Sequence, residues 1–141
     1  METTVTKPND LEIRVERVFD APRDHVFSVY TNPELIPEWW GDTTVVEEMD
    51  VRPGGSWRFR TPYGVVEGEF REVDPPARLV QTFQNHLQTL EFEEVGEQTK
   101  LTQTMTFATT EERDTTMNYG VEEGAKGGFE RIDAVLARLR G

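Results

Sequence analysis

The chain has 141 residues, with 27 acidic against 15 basic side chains for a formal charge of −12, and no cysteine. That length fits one domain able to bury a core without staples, while the missing thiols exclude disulfide and thiolate chemistry and suit a reducing, cytoplasmic setting. The acidity repels phosphate backbones, which argues against nucleic acid as a partner, and nowhere do about 18 apolar residues run together for membrane insertion.

Met1 to Asp10 is polar, unlike a signal peptide, and reads as a frayed tail ahead of a domain over residues 11–141. Leu11 to Phe19 is the first predicted strand: Leu11, Ile13, Val15 and Phe19 share one face, with Arg17 among them. Pro22 suits a first helical position, and Val26, Phe27 and Tyr30 follow at helical spacing. Asn32-Pro33 repeats the signal, with Asn32 as cap and Pro33 as start of a second short helix that stops at Gly41.

The middle of the chain alternates strand and turn. Predicted strands cover Thr44 to Val51, Ser56 to Arg60, Val65 to Val73, Arg78 to Phe83, Leu87 to Val95 and Lys100 to Phe107. Links of two to five residues imply antiparallel pairing, with a hairpin at Gly96-Glu97. Gly54-Gly55 is read as a turn in preference to an anion cradle. Thr109-Thr110-Glu111-Glu112 matches a capping box and opens a helix interrupted near Asn118-Tyr119-Gly120. From Val121 to Leu139 an apolar stripe of Val121, Ala125, Phe129, Ile132, Val135, Leu136 and Leu139 faces inward, with Asp133 on the outer face. A single terminal helix cannot cover both faces of so many strands. The economical α+β fold is a curved antiparallel sheet of about six or seven strands gripping that helix, with two short helices after the first strand.

Several local motifs carry a resemblance: Ala21-Pro22 before Val26-Phe27, Thr31-Asn32-Pro33-Glu34, Trp39-Trp40-Gly41, Arg52-Pro53-Gly54-Gly55, Val73-Asp74-Pro75-Pro76-Ala77-Arg78-Leu79, Glu122-Glu123-Gly124 and Phe129-Glu130-Arg131-Ile132. In this order and spacing the chain resembles the START-like helix-grip (SRPBCC) superfamily, and within it the homologue family of the heat-shock protein 90 ATPase activator. The resemblance implies a helix-grip fold holding lipids, polyketides or other apolar molecules between sheet and helix. It also implies two alternatives: an interaction module acting on a chaperone ATPase, or a cyclase or hydrolase working in the cavity. It carries over no catalytic set.

The residues themselves supply no catalytic or metal motif. The chain has only Ser28 and Ser56 as serines, only His25 and His86 as histidines, and no phosphate-binding glycine loop. No cofactor or metal is expected. The sharper signal is polar residues on apolar strand faces: Gln81 between Leu79 and Phe83, Gln103 between Leu101 and Met105, Glu47 between Val45 and Met49, and Arg17 in the first strand. A buried unpaired amide costs about 1–3 kcal/mol. Such residues therefore line a hydrated cavity, turn outward at a bulge, or pair, Arg17 with Glu47 for instance.

The cavity candidates are Trp40, Glu47, Trp57, Phe59, Gln81, Phe83, Gln103, Met105 and Phe129. Trp39 and Trp40 are helix neighbours that cannot point the same way, so one is expected in the core and one at a pocket mouth. Gly124, Gly127 and Gly128 each cost a helix roughly 1 kcal/mol relative to alanine. Close approach to the sheet, room for a ligand, or a kink would explain them. The expected partner is a small apolar or amphipathic molecule. A chaperone is the alternative partner, and a homodimer would follow from a long open edge strand.

Overall fold

The computed structural model describes residues 2–41, 43–84 and 86–140. Eight strands form one antiparallel sheet: β1 (Thr4–Thr6), β2 (Glu12–Phe19), β3 (Val45–Met49), β4 (Ser56–Thr61), β5 (Gly64–Asp74), β6 (Arg78–Phe83), β7 (His86–Val95) and β8 (Gln98–Phe107). Their order across the sheet is β1-β2-β8-β7-β6-β5-β4-β3. Helices α1 (Arg23–Thr31) and α2 (Ile36–Trp40) follow β2, and α3 (Thr110–Asn118) and α4 (Val121–Arg140) close the chain.

Register explains which side chains share the inner face, because residues directly opposite one another project to the same side. Ile13 sits opposite Met105, Val15 opposite Gln103 and Arg17 opposite Leu101. Gln88, Leu90 and Phe92 of β7 face the same three β8 residues, and Leu79 and Gln81 of β6 continue the row. This face is the core side. Ile13, Val15, Leu79, Leu90 and Leu101 are all buried, and α4 contributes Phe129, Ile132, Val135 and Leu136 to the same cluster. Phe19 meets Phe129 edge to face with ring centres 5.4 Å apart.

The helices start and stop on local signals. Thr109 Oγ1 accepts the Glu112 amide at 3.1 Å, as the capping box requires. Gly120, at φ 87°, breaks the chain between α3 and α4. Asn32 behaves differently from expectation. Its Oδ1 accepts the Glu34 amide at 3.0 Å in a turn, and α2 starts only at Ile36 with Pro37 in its first turn. Thr99 Oγ1 donates to the Ala21 carbonyl at 2.8 Å and ties the start of β8 to the approach to α1.

Two expectations are corrected. The N-terminal segment contains an edge strand: Thr4, Val5 and Thr6 pair with Glu16, Val15 and Arg14, which raises the strand number to eight. Three residues alternating around one valine are too short for a periodicity signal. The long open edge behind the homodimer expectation is also missing among the described residues. The sheet ends in the three-residue β1 and the five-residue β3, whose ladder is interrupted by a bulge. Short and bulged edges resist edge-to-edge pairing.

Candidate functional site

A cavity of about 240 Å³ lies between the inner sheet face and the N-terminal half of α4. Its sheet wall is aromatic where β4 and β6 supply Trp57, Phe59 and Phe83, and amide-bearing where β6, β7 and β8 supply Gln81, Gln88 and Gln103. Tyr30, Trp39 and Trp40 close it from the helices after β2, and Gly124, Ala125, Gly128 and Phe129 close it from α4. No lining side chain among the described residues carries a charge.

The aromatic wall is held by specific contacts. The Trp57 indole donates to the Thr82 carbonyl at 3.2 Å. It crosses Gly68 to get there, where a Cβ would lie 2.8 Å from its Nε1 and 2.0 Å from the Thr82 carbonyl oxygen. Glycine is thus required at 68 for the indole to bridge β4 to β6. Trp39 donates to the Val29 carbonyl at 3.0 Å and packs on Tyr30, which fixes α2 against α1. Trp40 packs edge-on to Phe59 at 5.2 Å and stacks on Phe83 at 5.8 Å. The expectation that only one of the two tryptophans reaches the pocket is therefore corrected: both line the cavity, with ring centres 5.9 Å apart.

The polar groups are few and neutral. Gln81 Nε2 donates to Gln88 Oε1 at 3.2 Å across the β6–β7 pair. The Tyr30 hydroxyl is fully buried with no hydrogen-bond partner among the described residues. Burial pushes its pKa up, opposed by the Arg17 charge nearby, so the phenol stays protonated. Behind Phe83, His86 stacks on that ring at 5.3 Å and packs tilted against Phe107 at 4.9 Å. Burial lowers its pKa from 6.5 to about 4, leaving the imidazole neutral at physiological pH.

Of the nine residues singled out from sequence, Trp40, Trp57, Phe59, Gln81, Phe83, Gln103, Met105 and Phe129 line the cavity. Glu47 does not. The register between β3 and β4 shifts between Val46 and Glu48. Val46 and Met49 therefore face inward opposite Phe59 and Trp57, while Glu47 is the extra residue of the bulge. It points outward and meets Arg58 at 3.0 Å and Arg60 at 3.6 Å. Arg17 finds a different partner from the one weighed for it. Its guanidinium, 5% exposed, forms a two-pronged pair with Asp133 of α4 at 2.6 and 2.5 Å, so Asp133 reaches back to the sheet.

Two polar lining side chains were missed. Gln88 precedes Leu90 and Phe92 at period two, the same signal that exposed Gln81. Tyr30 was read only as part of a helix's apolar face. The three glycines of α4 differ in their surroundings. Gly124, itself exposed, and Gly128 both border the cavity and meet nothing within 4 Å of an added Cβ, whereas a Cβ at Gly127 would rest 3.5 Å from Arg131 Nη1, off the lining.

An antiparallel sheet closed by a C-terminal helix over an internal cavity defines the START-like helix-grip class. The family model described as "Activator of Hsp90 ATPase homolog 1-like protein" matches residues 20–137, and the chain belongs to that family. Among solved structures, a Rhodobacter sphaeroides protein is similar over 98% of this chain and 99% of its own, with TM-score 0.88 at 23% identity. A Mycobacterium smegmatis protein gives TM-score 0.85 at 24% identity over 98% and 99% of the two chains. A Staphylococcus epidermidis protein gives 0.82 at 26% identity over 96% and 94%. No curated protein matches the chain. Among the described residues, no helix is long and apolar enough to cross a membrane.

Proposed function

We propose that this protein binds a small, apolar or amphipathic, uncharged molecule between the sheet and α4, as a carrier or sensor. The observation that carries the reading is the cavity of about 240 Å³ lined by aromatic rings and three glutamines without a charged group among the described residues. Ligand sites combine apolar walls with a few placed polar groups in this way. An engineered apolar cavity of about 150 Å³ accepts benzene, so this one has room for more than a single ring. Amides orient a ligand by hydrogen bonds, and this favours binding over turnover. The residues proposed to touch the ligand are Trp40, Trp57, Phe59, Gln81, Phe83, Gln103, Met105 and Phe129, joined by Tyr30 and Gln88.

A thermal-shift screen of neutral lipids, sterols and aromatic polyketides, followed by calorimetry on hits, tests this. Binding raises Tm by mass action. Absence of any shift across the set sinks the reading. The family description supports a second reading, modulation of a chaperone ATPase. Pull-down and ATPase assays with a heat-shock protein 90 type chaperone decide it, and absence of both complex and stimulation removes it.

A further inference from the structure

Where helix α4 meets the cavity, two of its lining residues have no side chain. Gly124 and Gly128 stand one turn apart, both line the cavity, and a Cβ built on either meets no heavy atom within 4 Å. Several other glycines have local reasons, although Gly127, off the lining, meets only an ordinary contact with Arg131. A Cβ at Gly55 would fall 2.0 Å from the Asp50 carbonyl oxygen, and Gly54, Gly64, Gly96 and Gly120 hold positive φ. Gly124 and Gly128 sit inside a helix, crowd nothing and gain nothing from flexibility; what they share is vacant space beside their backbone. A second observation points to an occupant: Gln103 lines the same cavity from the facing sheet wall, and its amide makes no side-chain hydrogen bond among the described residues.

We propose that Gly124 and Gly128 are specificity-determining residues that set the depth of the cavity. The occupant lies against bare helix backbone, and one methyl group at either position lowers the upper size limit. The occupant carries no negative charge, because the aromatic and amide walls offer no cationic partner and the chain's own charge is −12. This rests on the binding reading above and adds the selection rule to it.

The test uses calorimetry with phenol, 2-naphthol and 9-phenanthrol, and with 2-naphthoate as a charged control. The proteins are the wild type, Gly124→Ala, Gly128→Ala and Gly127→Ala. All three variants gain helix propensity, so each should melt about 3 °C higher. Gly124→Ala and Gly128→Ala should lose about tenfold or more in affinity for the largest probe that the wild type binds, and hold the smaller probes within about twofold. Gly127→Ala, off the lining, should bind as wild type and so separates a stiffer helix from a filled cavity. If Gly124→Ala and Gly128→Ala bind every probe as the wild type does, the depth role is overturned while the binding reading stands. If 2-naphthoate binds as tightly as 2-naphthol, the exclusion of anions is overturned. If the wild type binds none of the neutral probes, this inference and the binding reading fall together.

Discussion

The two halves of α4 meet the same sheet in opposite ways. From Phe129 onward the helix is anchored: Ile132, Val135 and Leu136 are buried, Phe129 meets Phe19, and Asp133 clamps Arg17. From Val121 to Gly128 it presents small residues to open space. If dry, a void of about 240 Å³ would cost about 6 kcal/mol, comparable with the whole stability of many domains, about 5–15 kcal/mol. One half of the helix must therefore be packed well enough to let the other stand off the sheet. That division predicts very different responses to mutation along a single 20-residue element.

The largest effect is expected in the anchored half. Ile132 is fully buried, so Ile132→Ala should cost about 3–4 kcal/mol in urea denaturation, from lost transfer energy plus the cavity left behind. Val121→Ala, at the cavity edge, should cost under about 1 kcal/mol. Similar losses at the two sites would break the comparison. Next comes the clamp. Asp133→Ala leaves the buried Arg17 guanidinium unpaired. Breaking a fully buried pair costs about 3–5 kcal/mol, but the Asp133 side chain is 43% exposed and water compensates in part. A loss of about 2 kcal/mol is expected. The double variant Arg17→Met with Asp133→Leu should recover most of it, and no recovery would mean that the pair does not act as a unit.

A smaller effect of about 2 kcal/mol or less should appear with pH. His86 in the unfolded chain titrates near 6.5, and in the folded protein near 4. Between those values the unfolded state holds a proton that the folded state refuses. Stability should therefore fall as pH drops from about 6.5 to about 4 and be flat in this contribution above that window. The full shift would give more, but partial exposure of the ring reduces it. His86→Phe, which keeps an aromatic ring between Phe83 and Phe107, should flatten the pH profile of stability across that window, so that the wild-type-minus-variant difference carries the slope. An unchanged slope would show that the imidazole is not the titrating group.

Much of this was legible in the sequence, for identifiable reasons. The fold was readable because period-two strands, turn glycines and the α4 stripe all agree, and consistent local signals specify one architecture. Gln81 and Gln103 were readable because a polar residue breaks an otherwise apolar face. Glu47 sent the same signal and was misread, because a bulge adds one residue and reverses every later face, and nothing in Val45 to Met49 marks it. The Arg17–Asp133 pair was also hidden. It spans 116 residues, and its acid sits on what helical spacing makes the outer face. The cavity itself left only the trace of α4 glycines that propensity disfavours; its depth depends on how far the helix stands off the sheet, a property of tertiary packing.

The smallest stability effect should carry the largest binding contrast. Gln103 lines the cavity opposite Val15 and Leu90, and its amide has no side-chain partner among the described residues, whereas Gln81 donates to Gln88. Gln103→Leu removes an amide that no protein group satisfies and adds apolar surface, so stability should move by less than about 0.5 kcal/mol in either direction. Gln81→Leu leaves the Gln88 carbonyl without its donor and should cost about 1 kcal/mol. Under the binding reading both should weaken a neutral ligand that carries a hydroxyl or carbonyl, by about fivefold to tenfold in calorimetry, and leave a pure hydrocarbon of the same shape unaffected. If Gln103→Leu instead destabilised the unliganded protein by 2 kcal/mol or more (roughly the penalty for an orphaned buried group), the amide would be structural, and the open half of the helix would be packed by water-linked polar contacts and not held ready for a ligand.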